Sequence, residues 1–515
     1  MTTDPAAGAS AELGQPAAGH ADLGLLAPVW AAPAVAGPTG DAAIAAAMLE
    51  LEAAWAETLE SAGLAVAGAG ESVRQGVEAL HSAPHAAGHD AGLAAFAGWP
   101  HSAASPAFVA RLARDAQGGG NPVIPLVKEL RKAVESVDPR GPGPRSLYTA
   151  AVHQGLTSQD VLDSALMLVA RRAVAGIAAD LGAAGHALAD LAARHRTTPQ
   201  VARTLTQHSL PSSFGLKAAN WLQSVAHAEA ALEALRFPVQ CGGAAGTNAS
   251  LVALGAEPAA LSADWAHRAG LHPAVAPWQT FRGPVTDLGR ALAAACTAAG
   301  HVANDVMLLS RPEIGEVGEP LAAGRGVSSA MPQKQNPALS ALIRSAALQA
   351  PAHAMQLELA AALSEDERTG GAWHTEWPAL RALLRLAAGA AAALRELAEG
   401  LRVVPERMRA NLALSGPLLV SERIMLELAP HAEGGRAGIQ SAVDAALAAG
   451  ADASGSSAER QASVLRERLR AVVLEEDVSD ARLDEVLDPA NYQGDAAGIV
   501  DRILIDFDEN HTRGK

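Results

Sequence analysis

Residues 157–195 read TSQDVLDSALMLVARRAVAGIAADLGAAGHALADLAARH, and this stretch decides the fold. Thr157, followed three residues later by Asp160, has the form of a capping box, which opens a helix by satisfying its first backbone N–H groups. No proline follows before residue 199, and Ala, Leu and Val recur along the whole segment. The pattern predicts one helix to about His195, roughly 55 Å long at 1.5 Å per residue. Similar wide apolar faces predict helices over 39–59 (with Ile44, Met48, Leu51 and Trp55 on one stripe), 122–137, 211–236, 287–309, 337–363 and 378–401. Helices of this length cannot hide their apolar stripes in one small domain. The expected fold is therefore all-α, an elongated multi-helix bundle that pairs with other subunits.

Composition agrees with that reading. Hydrophobic residues make up 49% of the 515 residues but aromatics only 3%, so Ala and Leu must do the packing, which favours helices over sheets. With 39 Lys+Arg against 55 Asp+Glu, the net charge of -16 argues against a nucleic-acid partner. Cys241 and Cys296 are too few for a disulfide framework or a Cys-rich zinc site, no metal site is expected, and a cytoplasmic setting fits. The first basic residue is Arg74, so neither a secretory nor a transit signal is expected, and no uncharged run suggests a membrane span. The expected layout is a disordered leader (1–38), an N-terminal helical domain (39–150), the long-helix domain (151–402) and a helical cap (403–515). The Gly-rich QCGGAAGTNAS at 240–250 lacks the preceding strand that a nucleotide-binding loop needs.

Four polar islands interrupt the Ala/Leu background: HQGLTSQDVLDSA (153–165), ARTLTQHSLPSSFG (202–215), GRGVSSAMPQKQNP (324–337) and DERTGGAWHTEW (366–377). Three of them lie where a long helix begins or ends, and a helix N-terminus suits a carboxylate. In the third island Ser328 and Ser329 precede Lys334 and Asn336 in a Gly-containing loop ahead of a helix. That arrangement reads either as a mobile loop delivering a serine and anion-binding groups, or as an ordinary polar surface loop.

The run SSAMPQKQNP resembles the signature loop of the fumarase/aspartase superfamily, and TSQDVLDSA and RTLTQHSLPSSFG resemble its other two shared regions, over roughly residues 40–430. The TSQD, QHSLP and GAWHTEW variants are most similar to the 3-carboxymuconate cycloisomerase branch. The resemblance implies a homotetramer whose active sites each draw the three regions from three chains, with no metal or organic cofactor. It implies proton removal beside a carboxylate, through an aci-carboxylate, with Ser328 as the base. Thr157, Ser158, Gln159, Arg203, Thr204, Gln207, Ser329, Lys334 and Asn336 are the substrate-binding candidates it implies, and His153, His208 and Arg282 are weaker ones. Donors are needed where charge develops on the carboxylate, and Lys334 and Asn336 are of the right type. Trp373, Glu376 and Trp377 read as packing and ion-pair residues behind the site, and the two cysteines as core.

Departures from the pattern narrow the chemistry. Where fumarases and adenylosuccinate lyases usually carry a His after Arg-Thr, this chain has Leu205, which cannot protonate a basic leaving group. The expected leaving group therefore departs as a stable anion. Gln279 and Gln335 stand where cationic groups are usual, and Val327 where Gly is usual. These substitutions favour elimination from a succinate bearing a nitro group, giving fumarate and nitrite. The alternatives are the cycloisomerase reaction, an intramolecular version of the same chemistry, and a non-catalytic relative.

Overall fold

A computed structural model describes residues 24–81, 104–138, 147–322, 324–327, 331, 333–451 and 457–513. Helices dominate. In chain order the principal ones are α1 (Asp41–Ser61), α2 (Ala69–Leu80), α3 (Val123–Val137), α4 (Ser158–Arg194), α5 (Phe214–Glu233), α6 (Gly283–Leu309), α7 (Ala338–Ala362), α8 (Ala372–Gly400) and α9 (Ala496–Arg513). α4 begins with the capping box that the sequence predicts, Thr157 at the cap and Asp160 three residues on. α6, α7 and α8 pack side by side, α8 lies on α4, and α5 bridges α4 and α6. This is the expected elongated helical bundle.

Its core is one apolar cluster running from Ala45 to Phe507. Small residues let the axes approach closely: a Cβ on Gly300 of α6 would stand 2.5 Å from the Cβ of Ala347 on α7. α6 is long and apolar enough by composition to cross a membrane, but 56% of its apolar stretch is buried inside the bundle. Short helices between Ser421 and Leu487 enclose a second, smaller cluster that includes Ile424, Ile439, Leu465, Leu469 and Leu483.

Three expectations need correction. First, α8 starts at Ala372, not at Pro378. Pro378 removes a helical hydrogen bond, but Trp373 and Glu376 in the preceding turn are buried and bonded, which offsets that loss. Second, residues 199–213 form a β-hairpin, β1 (Pro199–Thr204) against β2 (Gln207–Ser213), where only helix ends were expected. A second ladder joins β3 (Val317–Gly318) to β4 (Arg402–Val403). Third, the expected disordered leader lies outside the described residues only up to residue 23. From residue 24 it forms turns and a short helix, and Trp30 packs on the core with its ring 4.5 Å from the Arg385 guanidinium.

Candidate active site

One pole of the bundle is built around the start of α4, where twelve successive residues, Gln159 to Ala170, are buried. Most buried polar groups there find partners, the Gln159 Oε1 being an exception. Asp160 accepts from the backbone N–H groups of Thr157, Gly242 and Gly243, each at 2.9 Å. The Gly-rich 240–250 segment is thus a backbone cradle for Asp160. Burial pushes the Asp160 carboxyl up to about 7, against the three donors that favour its anion. Arg282, 2% exposed, is held at once by Asp163 (2.8 and 3.1 Å) and Glu376 (2.9 and 2.6 Å), with its guanidinium over the Trp278 ring. Trp373 donates to the same Asp163.

This arrangement corrects three sequence expectations. Arg282 is not a substrate contact: both of its carboxylate partners are internal and it is sealed from solvent. Gln159 is fully buried and donates to Asp163 and to the Gln279 carbonyl, so it braces the helix start. Gln279, expected to remove a positive charge from the site, is itself buried and donates to the Gly243 carbonyl. Glu376 and Trp373 are the ion-pair and packing residues expected of them.

At the surface of this pole Thr157 and Ser158 are half-buried. The Thr157 hydroxyl accepts from Arg368 at 2.7 Å, and Arg368 also reaches the Ala244 carbonyl. The sequence reading missed Arg368, although it lies in the fourth polar island. The signal available in the sequence is the charged run Asp366-Glu367-Arg368 at the head of that island. His153 sits in a left-handed conformation (φ 63°), with its backbone N–H and Nδ1 both held by the buried Glu52 carboxylate at 2.9 and 2.7 Å. Burial works against the imidazolium, but Glu52 overrides it and raises the His153 value. Between α3 and this region lies a cavity of about 360 Å³, lined by Ile124, Lys128, Arg131, His153 and Ser158 among others.

The opposite pole carries the other two regions. The hairpin turn, Leu205–Thr206, has positive φ at both residues (49° and 70°), the type I′ arrangement that matches strand twist. Thr204, Leu205 and Gln207 are exposed there, Leu205 at 96%. Arg203 is drawn inward by the fully buried Glu316 at 2.6 and 3.2 Å, and Gln200 and Asn411 hold the same carboxylate. Its charge is already compensated within the chain, so Arg203 is an ion-pair partner here. His208 bonds the Ser415 hydroxyl, and burial lowers its value with Arg203 adding to the effect.

The signature loop starts near this pole. Ser328 and Ser329 lie outside the described residues. Val327 pairs with Gln335, and Asn336 returns both its backbone and side-chain N–H to the Gly326 carbonyl. Gly326 has φ 66°, and a Cβ there would meet the Asn336 carbonyl oxygen at 2.5 Å. Lys334 is exposed. Below the loop Glu319 accepts the first N–H groups of α7, those of Leu339 and Ser340.

Within one chain these regions do not meet. Arg282 caps α6 at the first pole, and Glu316 hydrogen-bonds back to Leu309 at the other end of that helix. Its 27 residues separate the poles by about 40 Å.

Comparison with known proteins gives this geometry its context. Residues 145–351 match the profile of a lyase family. A nitrosuccinate lyase of Streptomyces davaonensis is 42% identical over 490 residues, covering 94% of each chain. A 3-carboxy-cis,cis-muconate cycloisomerase of Pseudomonas aeruginosa is 38% identical over 411 residues, 78% of this chain and 83% of that one. The crystal structure of the 3-carboxy-cis,cis-muconate lactonizing enzyme from Pseudomonas putida superposes with a TM-score of 0.78 at 29% identity, covering 94% of this chain and 99% of that one. Kinship in sequence along nearly the whole length, joined to a shared helical architecture, makes this chain a lyase of the fumarase/aspartase superfamily.

Proposed function

We propose that the protein eliminates nitrite from nitrosuccinate, leaving fumarate. The observation that carries this is Leu205 at the hairpin tip. In the superfamily pattern this position carries the histidine that serves a basic leaving group, and an apolar side chain there suits a leaving group that departs as a stable anion. The likeness to the Streptomyces davaonensis nitrosuccinate lyase supports the same substrate.

In this reading Ser328 takes the proton from the carbon next to one carboxylate. The C–H pair collapses into that carboxylate as the aci-form, and Lys334 and Asn336 stabilise the added charge. The aci-form then returns its electrons to make the C=C bond while the C–N bond breaks, and nitrite leaves with the bonding pair. Serine acts as a base only where its alkoxide is stabilised, so closure of the loop over substrate belongs to catalysis. Thr157 and Ser158, with Arg368 on the Thr157 hydroxyl, receive a substrate carboxylate at the start of α4. No cofactor enters these steps.

A site of this kind needs more than one chain, because its parts stand about 40 Å apart in a single copy. We infer a cytoplasmic homotetramer whose sites are each shared by three chains. The exposed face of α7 supports it: Leu348 (72% exposed), Ala352, Met355 (59%) and Leu359 (48%) recur at four- and three-residue spacing, an apolar seam that a partner helix would cover.

The test is a pair of incubations. Nitrosuccinate should yield free nitrite together with the ultraviolet absorbance of fumarate. Loss of diene absorbance from 3-carboxymuconate, without nitrite release from nitrosuccinate, would favour the cycloisomerase reading that the lactonizing-enzyme fold keeps open.

A further inference from the structure

The cavity between α3 and the start of α4 has a charge pattern that the family's shared regions do not account for. Lys128 and Arg131 stand one helical turn apart on α3, and both line the cavity beside His153 and Ser158. Among the described residues neither cation has a carboxylate within ion-pair distance. The arginines of the family motifs differ in this: Arg203 and Arg282 are each tied to buried carboxylates. Arg131 spends one N–H on the Val152 carbonyl at 3.0 Å, which fixes its head near the His153 backbone and leaves further donors over the opening. The volume, about 360 Å³, is of small-ligand size.

We propose that Lys128 and Arg131 form the subsite for the substrate's spectator carboxylate, the one that does not become the aci-form. The assignment rests on the lyase reading for its substrate and goes beyond it by naming two residues outside the three shared regions. The two carboxylates make different demands. The reacting one gains charge in the transition state and needs donors that act there. The spectator carries the same charge throughout and needs only steady binding. Cations carried on α3, outside the signature loop and at the exposed rim of the cavity, suit the second demand. Ser158 then lies between the two, on the wall that the subsite shares with the start of α4.

Uniform binding energy shows in KM, while transition-state interactions show in kcat. On the full-length protein, K128M and R131M are therefore expected to raise KM for nitrosuccinate about ten- to hundredfold, with kcat changing by less than about twofold. The dissociation constant of succinate, measured by calorimetry, should rise by the same factor. K128R should restore most of both, because it keeps the charge. Elimination from 3-nitropropanoate, which lacks the spectator carboxylate, should be equally fast in K128M and in the unaltered protein. Unchanged KM and succinate affinity in K128M would overturn the subsite, as would a loss confined to kcat, or an unaltered protein that binds no succinate. An unaltered protein that binds succinate but releases no nitrite would reject the substrate reading instead. The succinate arm would then still decide the subsite.

Discussion

At the scale of single residues, the protein commits two charges to its interior in ways that can be measured. Arg282 satisfies Asp163 and Glu376 together, and removing it leaves two buried carboxylates facing each other. R282M should destabilise the fold by about 3–5 kcal/mol, read as a drop in melting temperature. The double variant R282M/E376Q should be less destabilised than R282M alone, since it removes one of the stranded charges; equal losses would mean that packing, not charge, holds the cluster. The His153–Glu52 pair acts differently with pH. Glu52 holds the folded-state His153 value above the ordinary 6.5, so the pair's stabilisation is complete below that value and fades as pH rises through the folded one. The melting deficit of H153Q should accordingly be larger at pH 6 than at pH 9. A deficit independent of pH would show a neutral hydrogen bond.

At the scale of elements, the hairpin is the feature with a cost. Thr206 is β-branched and sits at φ 70°, a conformation suited to glycine. T206G should stabilise the protein by about 1 kcal/mol, checked by thermal melting, because it relieves the turn. A fall in melting temperature would mean that the threonine side chain makes contacts worth more than the strain. The hairpin also shows why one element escaped the sequence. PQVARTLTQHSLPSS lacks the apolar alternation of a half-buried strand, and Leu-Thr is not the Asn-Gly pair that announces a type I′ turn. The helices were legible because each carries its own evidence: the T-x-x-D cap and unbroken Ala/Leu periodicity for α4, Pro284 at the start of α6, and Pro337 just before α7. Where a start was misplaced, at α8, the deciding contacts were with Asp163 and Arg282, more than ninety residues away in sequence.

At the scale of the whole molecule, the length of the bundle makes the proposed sharing of sites between copies testable. If the poles of different copies meet, S328A and the double variant T157V/S158A should each be inactive alone, and mixing them by reversible dissociation should recover measurable nitrite release. No recovery, despite mixed oligomers seen by light scattering, would place the whole site in one chain. L348E/M355E should break the α7 seam, giving a smaller particle by light scattering and loss of turnover together. The sequence by itself determined the helical class, the order of the long helices and the three polar regions, because periodicity, caps and motif strings are local properties of the chain. It could not show that Arg203, Arg282, Gln159 and Gln279 turn inward, or that Lys128 and Arg131 line one cavity with Ser158. Those facts depend on which carboxylates and carbonyls lie across the packed helices, and only tertiary structure decides that.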